Sequence, residues 1–348
     1  MKTHVTIFLV FLCLAAGGAA AAPLMYVPTG EGNEVVVIDL RADRVVQRIG
    51  ELENAHGLAG NSKSRYLIAG SMKAPSGGEP SPARPGAVSE AEHEAHHGGA
   101  APAGRATSYL SIIDRREGKV VRRIGVRGLT HHTAISPDGE YAVAVHSGAG
   151  GISVIDLDAL QVIKEVDTGD WPNYAVFGGK GERLYVSNSR DGTISILSTS
   201  DWRVLGEIDV GGAPEHMVVS ADGIRLYVVD ADAGKVTEVA LPILAVRNIY
   251  AVGKSPHAAE VPLDRRWLFV TVKGEDKLVR IDFDSGERRS IELKPAPYHI
   301  EHADVVGKLY VSSRKEPKIW VLDPRTLSIR DAIGIGRGVG HQMVVIGE

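Results

Sequence analysis

Cysteine is almost missing from this 348-residue chain. The single one, Cys13, lies in an N-terminal segment that reads as removable. The mature protein is therefore expected to have no disulfide and no thiolate chemistry. Any metal it binds must be held by nitrogen and oxygen ligands alone. A strong charge of one sign is missing too: 39 Lys and Arg stand against 43 Asp and Glu, for a formal charge of −4. That removes a general electrostatic case for nucleic acid or anionic membrane. Long apolar runs are absent apart from residues 5–16, which are short for a bilayer and give no stable membrane anchor. The chain lacks G-x-S-x-G, a Walker loop, H-E-x-x-H and C-x-x-C-H. Those hydrolase, nucleotidase and zinc-protease templates are excluded, as is covalent c-type haem. No helical periodicity is evident, which points to an all-β chain.

The one apolar run has a clear reading. Lys2 supplies positive charge, residues 5–16 are apolar, and small residues fill 17–22 before Pro23. This is the pattern of a secretory signal peptide, with cleavage expected near Ala21. Phe11 and Leu12 precede Cys13, where a lipidation site would need a small residue. The expected organisation is a signal over residues 1–22 and one domain over 23–348, exported to the periplasm and monomeric.

What the chain does contain is a repeat. The steps from His216 to His257, His299 and His341 are 41, 42 and 42 residues. His56, the pair His131 and His132, and the pair Asn173 and Tyr174 extend the series. A period of this size marks a β-propeller of four-stranded blades. One full unit spans residues 183–223, with short β-branched strands bounded by Gly, Asp, Ser and Pro. The third strands align as NEVVVID, TSYLSIID, GISVID, GTISIL, DKLVRID and KIWVLD. Asp39, Asp114, Asp156, Asp282 and Asp323 close most of them and are read as turn residues that accept backbone bonds, not as catalytic carboxylates. Counting strands gives seven blades. Residues 340–347 are expected to supply the inner strand of the blade built by residues 24–50, which closes the ring and removes open edges.

Residues at the start of each inner strand should meet at one mouth of the central channel. Two adjacent columns result. The first holds Ala55, His131, Asn173, Glu215, His257, Tyr298 and His341; the second holds His56, His132, Tyr174, His216, Ala258, His299 and Gln342. Glu260, Glu301 and His302 lie a few residues further along. Neutral imidazole is a common ligand for zinc and copper. His56, His132, His216 and His299 are expected to form the central site, with His131, His257 and His341 nearby and Glu260 and Glu301 as ligands or orienting partners. Metal affinity is then expected to fall near pH 6, because ligand imidazoles must be neutral. A lone channel histidine more often satisfies backbone groups or fills space; the recurrence in phase is what favours a site. His146 is read as a loop residue without a role.

One segment breaks the rhythm. His56 and His132 are 76 residues apart, and the excess lies in residues 72–107. This stretch is rich in Pro, Gly, Ala and Glu, contains EHEAHHGG with His93, His96 and His97, and reads as a flexible insertion. Short histidine-rich tracts are commonly metal-binding.

PEHMVVSADGIRLYVV (residues 214–229), HHTAISPDGEYAVAV (131–145) and RLYVSN (183–188) resemble the YVTN-type seven-bladed propellers of exported bacterial proteins. The resemblance covers nearly all of the mature chain and implies a fold rather than a function. In outline the chain is also similar to periplasmic zinc metallochaperone propellers with a histidine-bearing flap. That likeness implies a zinc or copper carrier that delivers to the binding protein of a metal transporter. AHGLAGNSKSRYLIAGS (residues 55–71) is similar to the axial-histidine segment of the d-type haem domain of periplasmic nitrite reductases. This implies His56 as a haem ligand, although that domain has eight blades and seven are counted here. Nitrous oxide reductase offers a copper-cluster parallel, without its electron-entry domain here. A protein-interaction scaffold with incidental histidines is the third reading.

Overall fold

The computed structural model describes residues 22–73 and 107–347. The expected signal segment and the insertion carrying His93, His96 and His97 fall almost entirely outside the described residues.

Seven four-stranded antiparallel sheets are present, each of them a blade. The inner strands are Val344–Ile346, Ala55–Ala59, Thr133–Ile135, Pro172–Phe177, Pro214–Val219, Pro256–Glu260 and Pro297–Ala303, for blades one to seven in that order. Blade one joins the two ends of the chain as expected: Leu24, Met25 and Tyr26 pair with Ile346, Val345 and Val344.

The burial pattern explains why the blades stack. Second and third strands such as Tyr141–His146 and Gly151–Asp156 are buried almost throughout, because each blade is covered on both faces. Fourth strands such as Gln161–Asp167 are mostly exposed and carry charge at the rim, which blunts edge pairing. Seven hydrophobic clusters form, one between each pair of neighbouring blades. The cluster joining Met25, Val36 and Ile38 to Tyr310, Ile319 and Val321 closes blade seven on blade one.

The aspartates at the third-strand ends are turn residues as expected. In each case one carboxylate oxygen accepts bonds from the backbone N–H groups two and three residues on: Arg41 and Ala42 for Asp39, Arg116 and Glu117 for Asp114, Asp158 and Ala159 for Asp156, Asp284 and Ser285 for Asp282, and Arg325 and Thr326 for Asp323.

Candidate metal centre

The inner strands begin with a shared irregularity. In blade five Pro214 pairs with Asp230 and Met217 with Val228, so Glu215 and His216 together face one residue, Val229. The same two-against-one register holds for Asn173 and Tyr174, His257 and Ala258, and Tyr298 and His299. In blade three the Val145 carbonyl accepts from His131 N and the Val145 N–H donates to the His132 carbonyl, which places that pair alike. This is a β-bulge, and a bulge re-aims side chains at the cost of local pairing. A regular strand would send neighbouring side chains to opposite faces. Here both members of a pair turn inward: the rings of His131 and His132 are 4.0 Å apart, and those of Tyr298 and His299 are 4.4 Å apart. Asn54, Trp171, Ser255 and Ala296, each directly before an inner strand, have left-handed φ of 43°, 57°, 51° and 43°. Such conformations cost non-glycine residues about 1 kcal/mol or more and persist where the surroundings enforce them.

The register corrects one placement. Ala55 pairs with Ser71 and Leu58 with Ala69, so His56 and Gly57 face Gly70. His56 therefore belongs to the first tier, with His131, Asn173, Glu215, His257, Tyr298 and His341. The second tier is Gly57, His132, Tyr174, His216, Ala258, His299 and Gln342. The one-residue slip arose because Ala55 stands where most blades have proline. Glycine is required at position 57: a Cβ there would sit 2.8 Å from the backbone of His132 and Thr133. Gln342 reaches across the space this leaves. Its Oε1 accepts from the N–H groups of Leu58 and Thr133, and its Nε2 donates to the Thr133 carbonyl. Gln342 is thus committed to backbone, with its Nε2 also 3.4 Å from the Tyr174 hydroxyl. Gly57→Ala is expected to push the His132 backbone aside and destabilise the fold by about 1–3 kcal/mol, the usual range for overpacking, measured by denaturant unfolding.

The imidazoles are deeply buried; His56, His131, His132, His216, His257, His299 and His341 are each no more than 5% exposed. His56 Nδ1 lies 3.1 Å from the His131 carbonyl, and His132 Nδ1 lies 2.8 Å from the Asn173 carbonyl. A carbonyl only accepts, so each Nδ1 carries the proton and each Nε2 presents a lone pair. That second bond to a backbone carbonyl is what fixes tautomer and ring orientation in metal-ligating histidines. The Nε2 atoms of His56, His132, His216 and His299 have no hydrogen-bond partner among the described residues. Burial, followed by repulsion from other imidazoles, holds His56 and His299 well below the ordinary histidine range; burial leads the same shift for His132, His216 and His341. All five are neutral at pH 7. The expected loss of affinity near pH 6 therefore moves to lower pH, because burial has already suppressed protonation there.

Two groups of three offer ligand atoms within 4.8 Å of one another: His132, His216 and His299, and His56, His131 and His132. His216 and His299 line a cavity of about 340 Å³ together with Pro137, Gly178, Gly179, Ser220 and Ala221. Tyr174, Glu260 and Glu301 line it as well. Burial and the negative charge of Glu301 and Glu260 raise the Tyr174 phenol, so it stays protonated.

The remaining residues sit differently. His257 stacks on Tyr298 at 3.9 Å and lies 3.8 Å from a Glu215 oxygen; it joins neither group of three. His341 packs 3.9 Å from His56 on the side of Gly30. His302 lies further along the blade-seven inner strand and faces Asp304 at 3.2 Å, away from both groups. His146 is not a loop residue: it ends a buried strand, with Nε2 2.8 Å from Ser153 Oγ, and burial lowers it to about 3.

No family model and no curated protein sequence matches the chain. Solved structures do. A Kuenenia stuttgartiensis hydrazine synthase chain is 14% identical with a TM-score of 0.69, over 89% of this chain and 94% of that one. The periplasmic gluconolactonase of Pseudomonas aeruginosa is 14% identical with a TM-score of 0.71, over 93% and 99%. A putative 6-phosphogluconolactonase of Bacteroides uniformis is 12% identical, also at 0.71, over 93% and 99%. At this identity the likeness is one of fold. It bears out the seven-bladed propeller and does not single out the YVTN type.

Proposed function

We propose that this protein is an exported metal-binding propeller that carries zinc, or alternatively copper, on its axial histidines. One observation carries the reading. Four buried imidazoles have an Nε2 without a hydrogen-bond partner among the described residues, and two of them are locked by Nδ1–H bonds to backbone carbonyls. Leaving a buried polar atom unsatisfied costs about 1–3 kcal/mol. Four together are hard to reconcile with histidines that merely fill a channel, and a cation would satisfy them. Three imidazoles with an open fourth position suit zinc. Glu260 and Glu301 in the channel favour a cation on its way in. The carrier role, with His93, His96 and His97 as first contacts and a transporter's binding protein as recipient, extends the same reading, as does export to the periplasm.

The residues do not fit haem. The ring of His56 is flanked by His341 at 3.9 Å and His131 at 4.7 Å. A flat macrocycle on His56 Nε2 would need the space those rings fill.

The test is elemental analysis and a visible spectrum of untagged protein dialysed without chelator. About one equivalent of zinc or copper is expected, with no haem band. Exchanging His132, His216 and His299 together for alanine leaves neither group of three intact and should weaken binding by more than about 100-fold, since even outer-shell changes cost 10–100-fold. Absence of any bound metal after reconstitution with zinc and with copper would leave the interaction scaffold as the better account.

A further inference from the structure

The histidine cluster offers a cation two places. Each group of three brings its ligand atoms within 4.8 Å of one another. A single site using His56, His132, His216 and His299 together is not offered: the two groups share His132 alone, and the ring of His56 is 6.3 Å from that of His299. Zinc holds imidazole nitrogens at about 2.0–2.1 Å, so small ring rotations complete either trio, whereas the four-histidine set needs larger ones. His132 belongs to both trios. Its Nδ1–H is committed to the Asn173 carbonyl, so only Nε2 is available, and one lone pair serves one ion at a time.

Resting on the metal-binding reading above, we propose that the propeller holds one cation that exchanges between two overlapping three-histidine positions, with His132 common to both. His132 is fully buried and anchored at 2.8 Å, so the ion moves while the ring stays. The ion never loses all its imidazoles, which avoids the large cost of a bare charge in a protein interior. An open fourth position at each place lets an incoming ligand bind before an outgoing one leaves. The two places also differ in outlook. His216 and His299 face the channel with Glu260 and Glu301. His56 and His131 belong to the first tier, one position earlier at the start of the inner strands, beside the point where the Ser71 carbonyl accepts from Thr130 N. The arrangement is a relay along the axis from one tier to the next.

Cobalt(II) reports the two positions through its ligand-field spectrum. The measurement uses the full chain with His93→Ala, His96→Ala and His97→Ala, so that only axial sites are counted. One equivalent of cobalt is expected. His216→Gln with His299→Gln should retain one equivalent with one spectrum. His56→Gln with His131→Gln should retain one equivalent with another. The parent spectrum should be a weighted sum of the two. Two tight equivalents in the parent would overturn the shared-ligand relay, as would a double variant that folds but binds none. If a double variant fails to fold, the singles His299→Gln and His56→Gln should shift the parent spectrum in opposite directions, and shifts in the same direction would overturn the proposal. No cobalt in the parent would instead defeat the metal-binding reading on which the relay rests.

Discussion

His132→Ala is expected to weaken metal binding by more than about 100-fold, the largest effect of any single histidine replacement. The size follows from position. His132 is the only residue in both groups of three, so its loss leaves His216 with His299 at one place and His56 with His131 at the other. Two imidazoles make a poor zinc site, since structural and catalytic sites use at least three protein ligands. Removing His299 alone leaves the other trio whole, and the loss should be about tenfold or less. His257→Ala removes a ring that stacks on Tyr298 and packs on His216 and His299 but joins neither group of three, and should change affinity by less than about tenfold. Chelator competition measures all three, with circular dichroism confirming that each variant folds. Parent-like affinity in His132→Ala would sink the assignment of His132 as the common ligand.

The second large effect is on stability against pH. Burial holds His56, His132, His216, His299 and His341 well below the ordinary histidine value, and His146 at about 3. The unfolded chain, with histidines near 6.5, takes up protons that the folded chain refuses. Stability therefore rises with pH through this window. It is fully present above about pH 7 and is lost as pH falls below about 6.5. Each such histidine contributes a slope of about 1.4 kcal/mol per pH unit. Six together approach about 8, comparable with the whole stability of a typical domain. The metal-free protein is accordingly expected to unfold cooperatively about one to two units below pH 6.5. The metal-loaded protein should resist to lower pH, because a ligand bound only by the folded state adds to its stability. Denaturant midpoints between pH 8 and 5, with and without zinc, test this. Flat stability of the metal-free protein across that range would show that these imidazoles are not held neutral.

The two effects rest on different layers of information. The 41–42-residue step, the β-branched short strands and the closing aspartates were enough to place the blades, the ring closure at residues 340–347 and the approximate phase of the histidines. Those features are local and recur in most blades, so an error in one blade is corrected by the others. His56 shows where this stops. A one-residue shift is invisible in a sequence with alanine where other blades have proline, yet it moves a ring from one tier to the other. His146 shows the same limit: a histidine after an apolar strand reads as a loop, yet it ends that strand and meets Ser153 on the next strand of the same blade. His302 follows Glu301 in the chain, yet it faces Asp304 while Glu301 lines the channel, because alternation along a regular strand sends neighbours to opposite faces.

By itself, then, the sequence determined the architecture and the presence of a histidine-lined axis, because strand period and blade period are properties of the chain. The tertiary structure decided which imidazoles meet. The bulges turn adjacent residues inward together, backbone carbonyls of neighbouring blades fix the tautomers of His56 and His132, and Gly57 leaves the space that Gln342 crosses. These are contacts between blades dozens of residues apart in sequence, and no local pattern encodes them.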